Sequence, residues 1–102
     1  LITIIAKLQA APGKEEELKA ALEEMVAAVK ANEAGKVLAY SLHTSDKNPG
    51  QFVFYEQYRD AEALKEHGAT PHMAAMNEKI VKGQLLAGRP EIERYTQIAG
   101  IS

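Results

Sequence analysis

The sequence has no cysteine, no tryptophan and only 6% aromatic residues. Without cysteine there can be no disulfide, no zinc-thiolate centre and no thiol nucleophile. No window approaches the roughly 18 consecutive apolar residues that a membrane-spanning helix needs. No signal-peptide pattern precedes the first strand-like segment, so a cytoplasmic protein with no membrane partner is expected. A basic surplus is missing too: 12 Lys and Arg stand against 14 Asp and Glu, net charge −2, and the basic residues form no stripe along any one segment. That removes the electrostatic footprint of a nucleic-acid binder. GxGxxG, the Walker pattern and any obvious flavin fingerprint are also absent. What remains, 102 residues of 46% hydrophobic content, suits one compact domain over residues 1–102, without internal repeat, low-complexity tract or linker.

Leu1 to Ala10, LITIIAKLQA, sets Ile2, Ile4, Ala6 and Leu8 on one face against Thr3, Ile5, Lys7 and Gln9 on the other, the period of a strand. The Pro-Gly of APGK stops it, and Glu15, Glu16 and Glu17 bring negative charge to the positive end of a following helix. Leu18, Leu22, Met25, Val26 and Val29 recur at helical spacing, and Gly35 is placed to close that helix. Lys36 to Thr44 and Gln51 to Tyr58 read as two strands of a hairpin around SDKNPG. Asp60 can cap a short helix carrying Ala63, Leu64 and His67; a second helical piece runs from Pro71 to about Gly83. EIERYTQI, Glu91 to Ile98, reads as a last strand.

The order β-α-β-β-α-β, with its second helix broken, predicts an α+β ferredoxin-like fold: an antiparallel four-stranded sheet with helices on one face. The other face must then meet water or protein. Ile5, Tyr40, Leu42, Val53 and Tyr55 leave neither alternating set cleanly polar, which predicts a homodimer joined sheet to sheet.

EHGATPHMAAM, Glu66 to Met76, holds two of the three histidines and admits three readings. As a helix joint, His67 ends one helix at the negative end of its dipole, Gly68 supplies a left-handed stop, Thr70 caps the next helix and Pro71 fills its first turn. As a metal site it offers two convergent ligands where zinc needs three or four, so no metal is expected. As an organic pocket, His67 and His72 edge a cavity between broken helix and sheet, lined by Met73, Met76, Phe54 and Tyr40. A histidine titrating near neutrality could there take a proton from a bound phenol.

His67 and then His72 are accordingly the candidate catalytic bases. Tyr40, Tyr55 and Tyr58 could hold a phenolic oxygen, although strand tyrosines more often serve packing. Tyr55 falls on the opposite face from Phe54 and Glu56. Glu56, among Phe52, Phe54 and Tyr58, is either paired with a cation such as Arg94 or raised in pKa, and pairing is the expectation. Asn77 could orient a substrate from its helix.

With these elements placed, the chain resembles the antibiotic biosynthesis monooxygenase family, in particular its small quinol monooxygenase-like members. The resemblance spans nearly the whole chain and is carried by APGKEEEL, by Gly35 before the second strand, by FVFYEQYRDAEALKEH and by TPHM. It implies a dimeric α+β barrel and oxygenation of a small electron-rich aromatic by O₂ with no flavin, metal or haem. Haem-degrading relatives use tryptophan and an axial histidine, and the absence of tryptophan disfavours that branch; oxygenases of large polyketides commonly use Trp and Arg. EAGK stands where the family often has Pro-Gly-Cys. Beside the oxygenase expectation stand a noncatalytic binder of an apolar metabolite, of the stress-associated kind, and an isomerase moving protons on a small ring.

Overall fold

The computed structural model describes residues 1–101. Along the chain run β1 (Ile2–Gln9), α1 (Glu15–Asn32), β2 (Val37–Thr44), β3 (Gln51–Tyr58), α2 (Ala61–Gly68), α3 (Pro71–Gly83) and β4 (Glu91–Thr96). This is the ferredoxin-like α+β order read from the sequence, with the break in the second helix. The four strands form one antiparallel sheet in the order β2-β3-β1-β4.

Strand alternation sorts the two faces. Ile4, Ala6 and Leu8 of β1 and Phe52, Phe54, Glu56 and Tyr58 of β3 are buried on the helix side. Against them α1 lays Leu18, Ala21, Leu22, Met25 and Val29, the apolar side of its helical period. Ala6, Leu8, Leu18, Leu22, Phe52, Phe54 and Ile80 belong to the larger core cluster, while Ile4, Tyr58 and Ala63 form a second one beneath α2.

The opposite face pairs Ile5 with Tyr55 and with Glu93, and Lys7 with Val53. Tyr55 and Tyr95 remain 37% and 47% exposed. Every residue of β4 is exposed, so this edge strand escapes the cover that the helices give to β1 and β3.

The joints between elements are built from side chains. The Asp60 carboxylate accepts from the Ala63 amide at 2.9 Å and starts α2; the Thr70 hydroxyl accepts from the Met73 amide at 3.2 Å and starts α3, with Pro71 in its first turn. Gly68 is not the left-handed stop expected of it. It lies inside α2, and Ala69, at φ −101°, ends the helix and leads straight into extended Thr70, so the chain needs no reversal there. A left-handed non-glycine residue is found at the far end of α3, where Gln84 has φ 51°. Leu85 then donates to the Ile80 carbonyl at 3.0 Å and Gln84 to that of Val81 at 3.2 Å, a Schellman closure with Leu85 and Ile80 meeting in the core. Gly83 precedes it because a Cβ there would come within 2.9 Å of Leu85 Cδ2.

Candidate functional site

Between α3 and the sheet lies a half-open cavity of about 510 Å³. Its wall is apolar over most of its area. Ala6, Leu8 and Phe54 come from the sheet, Met73, Met76 and Ile80 from α3, Leu86 and Pro90 from the segment leading into β4, and Ile92 from β4 itself. Tyr40, Glu56 and Asn77 supply its polar atoms from side chains that can donate or accept hydrogen bonds. Such a wall, greasy with a few convergent polar groups, is the usual form of a small-molecule site. Flexible Met73 and Met76 let it adapt to more than one ligand shape.

Antiparallel register places the polar groups. Tyr40 stands opposite Glu56, with Ile4 on the other side of Glu56 and Arg94 beyond Ile4. Arg94 is thus two strand spacings from Glu56, about 10 Å along the sheet, on an exposed edge strand. The expected pairing of Glu56 with Arg94 is not formed. Instead the Tyr58 hydroxyl donates to Glu56 Oε1 at 2.5 Å, both groups being buried. Burial raises the Glu56 pKa, the Tyr58 hydrogen bond partly offsets this, and the Glu33 charge adds to the rise, so that it is pushed up to about 7. Tyr40 is driven above the ordinary phenol value by burial and by Glu56 and Glu33, and Tyr58 likewise by burial and Glu56. Both phenols therefore remain hydrogen-bond donors at neutral pH.

The two histidines stand elsewhere. Neither lines this cavity, and nor does Tyr58; of the α2 residues only Gly68 reaches it. His67, 3% exposed, lies with its ring 5.3 Å from those of both Tyr40 and Tyr58. Its Nδ1 donates to the Glu33 carboxylate at 3.0 Å. His72 Nε2 donates to the same carboxylate at 2.6 Å and borders a much smaller recess between α1 and α3. The sequence reading gave His67 a helix-end role favouring charge. In the fold, burial dominates and lowers its pKa despite the neighbouring Glu33. His72 is neither solvent-facing nor on the cavity edge, because Glu33 draws it into the α1–α3 seam. Among the described residues, no cluster of three or more acidic, histidine or cysteine side chains is arranged to hold a metal ion.

Glu33 was not singled out from the sequence. Two signals marked it. It continues the buried stripe of α1 one turn beyond Val29, and an acidic residue at a helix C-terminus opposes the helix dipole, so something else must hold it there.

The family model for antibiotic biosynthesis monooxygenase matches residues 1–79. The chain belongs to the antibiotic biosynthesis monooxygenase family. Rv0793 of Mycobacterium tuberculosis, provisionally named a monooxygenase, is 31% identical over 85 residues, which is 83% of this chain and 79% of that protein. Its structure aligns with a TM-score of 0.88 over 99% of this chain and 98% of that one, at 26% identity. A Caulobacter crescentus protein provisionally named an antibiotic biosynthesis monooxygenase gives a TM-score of 0.88 at 34% identity, over 96% of this chain and 90% of that one. PA3566 from Pseudomonas aeruginosa gives 0.85 at 32%, over 96% and 94%. The matched family region takes in Tyr40, Phe54, Glu56, Met73, Met76 and Asn77, and Glu33, His67 and His72 as well; it stops just short of Ile80 and the segment closing the cavity.

Proposed function

We propose that this protein is a monooxygenase that oxidises a quinol-like or phenolic aromatic with O₂, bound in the cavity beneath α3, and that it works as a sheet-to-sheet homodimer without flavin, metal or haem. One observation carries the reading: a cavity of about 510 Å³ with apolar walls has a carboxyl group, Glu56, buried in its lining. A carboxyl titrating near neutrality is suited to take the proton of a bound phenol. Tyr40 and Asn77 can donate hydrogen bonds to the phenolate oxygen as charge develops. The electron-rich anion then passes an electron to O₂, the oxygen couples to a ring carbon, and the peroxide takes the proton back from Glu56. Loss of water from the resulting hydroperoxide leaves a hydroxylated quinone. One quinol and one O₂ thus give one hydroxyquinone and one water, with the substrate supplying all the electrons. His67 and His72 stand behind the cavity wall, so Glu56 takes the role of first proton acceptor.

Oxygen uptake with menadiol tests this. Wild-type protein should consume O₂ above the autoxidation rate, and Glu56→Gln should lower kcat by about 10²-fold or more, the usual share of a general base. Uptake at the autoxidation rate, with the quinol nevertheless bound, would leave the noncatalytic binder instead.

A further inference from the structure

Behind the Tyr40 wall, three helices meet at one carboxylate. Glu33, 7% exposed at the end of α1, accepts from His67 of α2 at 3.0 and 3.1 Å and from His72 of α3 at 2.6 Å. An ionised carboxylate can only accept, so each of these ring nitrogens must bring a proton. A neutral imidazole carries one N–H, and for His67 it is spent on Glu33. Its other nitrogen, Nε2, is therefore a bare lone pair. That atom is buried and has no hydrogen-bond partner among the described residues, on a side chain 3% exposed. A buried, unsatisfied acceptor is costly, and in a native fold it calls for a purpose.

Building on the oxygenase reading above, we propose that Glu33 is a positioning residue of the site: it fixes His67 as the Nδ1–H tautomer, so that Nε2 serves as the second proton acceptor behind Glu56. The surroundings fit this. Tyr58, whose hydroxyl donates to Glu56, has its ring 5.3 Å from His67, and Tyr40, which lines the cavity, flanks His67 at the same spacing. A proton taken by Glu56 from the substrate goes back to the peroxide within the same turnover, and a second basic group can hold it meanwhile. The His67 ring packs against that of Tyr58, the hydrogen-bond partner of Glu56, and the Glu33 carboxylate stabilises the imidazolium formed when Nε2 is protonated, the part a buried acid plays behind a catalytic histidine. His72, 17% exposed, holds Glu33 Oε2 in place from the α1–α3 seam. Burial keeps His67 neutral at rest, which is the state this role requires.

Long-range ¹H–¹⁵N spectra of the full chain, labelled at histidine, read the tautomer directly. The wild type should show His67 protonated at Nδ1 and bare at Nε2. In Glu33→Leu, which has no acceptor, this preference should be lost, with kcat for menadiol falling at least about tenfold and KM little changed, while Glu33→Gln and Glu33→Asp, which keep an acceptor oxygen, should retain the tautomer. A wild-type His67 protonated at Nε2, a Glu33→Leu protein with the wild-type tautomer, or an unaltered kcat in a variant whose tautomer has changed would each overturn the assignment. The wild-type spectrum decides even if Glu33→Leu does not fold. If the wild type consumes no O₂ with menadiol, the oxygenase reading fails, and the tautomer spectra alone then uphold or overturn the role of Glu33.

Discussion

Glu56 ties the chemistry of the cavity to the stability of the chain. Its carboxyl is 6% exposed, opposite Tyr40 and Ile4 in the sheet, and holds its proton up to about pH 7. Between its ordinary value of 4.5 and about 7 the folded chain keeps this proton while the unfolded chain releases it, so rising pH favours unfolding. The loss is complete above about pH 7 and is on the order of 3 kcal/mol. His67 acts in the other direction. Its pKa is lowered in the fold, so as pH falls below its ordinary 6.5 the unfolded chain gains a proton that the native state refuses. Glu56→Gln keeps the shape and an acceptor for the Tyr58 hydroxyl but removes the titration. Urea melts should show the variant stabilised relative to wild type at pH 8 and no longer losing stability between pH 5 and 7; a wild-type pH profile in the variant would contradict the burial of this carboxyl.

At the scale of elements, the closure of α3 carries a defined strain. Gln84 holds a left-handed backbone that costs a non-glycine residue about 1 kcal/mol. Gln84→Gly should therefore raise stability by about that amount, or roughly 4–8 °C in Tm, as thermal melts would show; a fall in Tm would mean that the side chain contributes more than the strain removes. The elements themselves were legible because each wrote its period into the chain: alternation in β1 and β3, the 18-22-25-29 stripe of α1, and Asp60 and Thr70 at the starts of α2 and α3. So were six side chains that gather at the cavity, Tyr40, Phe54, Glu56, Met73, Met76 and Asn77, since strand parity and helical spacing place them on facing surfaces. The partners were not legible. Glu33 lies 34 positions from His67, and only the packing of α1 against α3 and the return of α2 bring them together. Arg94 shared a face with Glu56, but the number of strands between them depends on sheet order, which alternation does not encode.

At the scale of the whole molecule, helices cover one side of the sheet and leave the other to Ile5, Val53, Tyr55 and Tyr95. An exposed apolar face of this kind is suited to pairing with its own copy, at about 800 Å² per partner for an ordinary stable interface. Sedimentation at micromolar concentration should return twice the mass of one chain, and Tyr55→Lys, which places a charge at the centre of that face, should shift the protein toward single chains. Single chains alone in the wild type would refute the pairing. The cavity lies on the other side of the sheet, and its occupation can be read independently of assembly. The chain has three methionines: Met73 and Met76 line the cavity, while Met25 is buried on α1 and does not. With methionine methyl groups labelled with ¹³C, titration with a neutral naphthol should move the Met73 and Met76 resonances through the ring current of the bound aromatic and leave Met25 in place. Saturating naphthol that moves neither Met73 nor Met76, or that moves Met25 alone, would contradict the assignment of this cavity as the binding site.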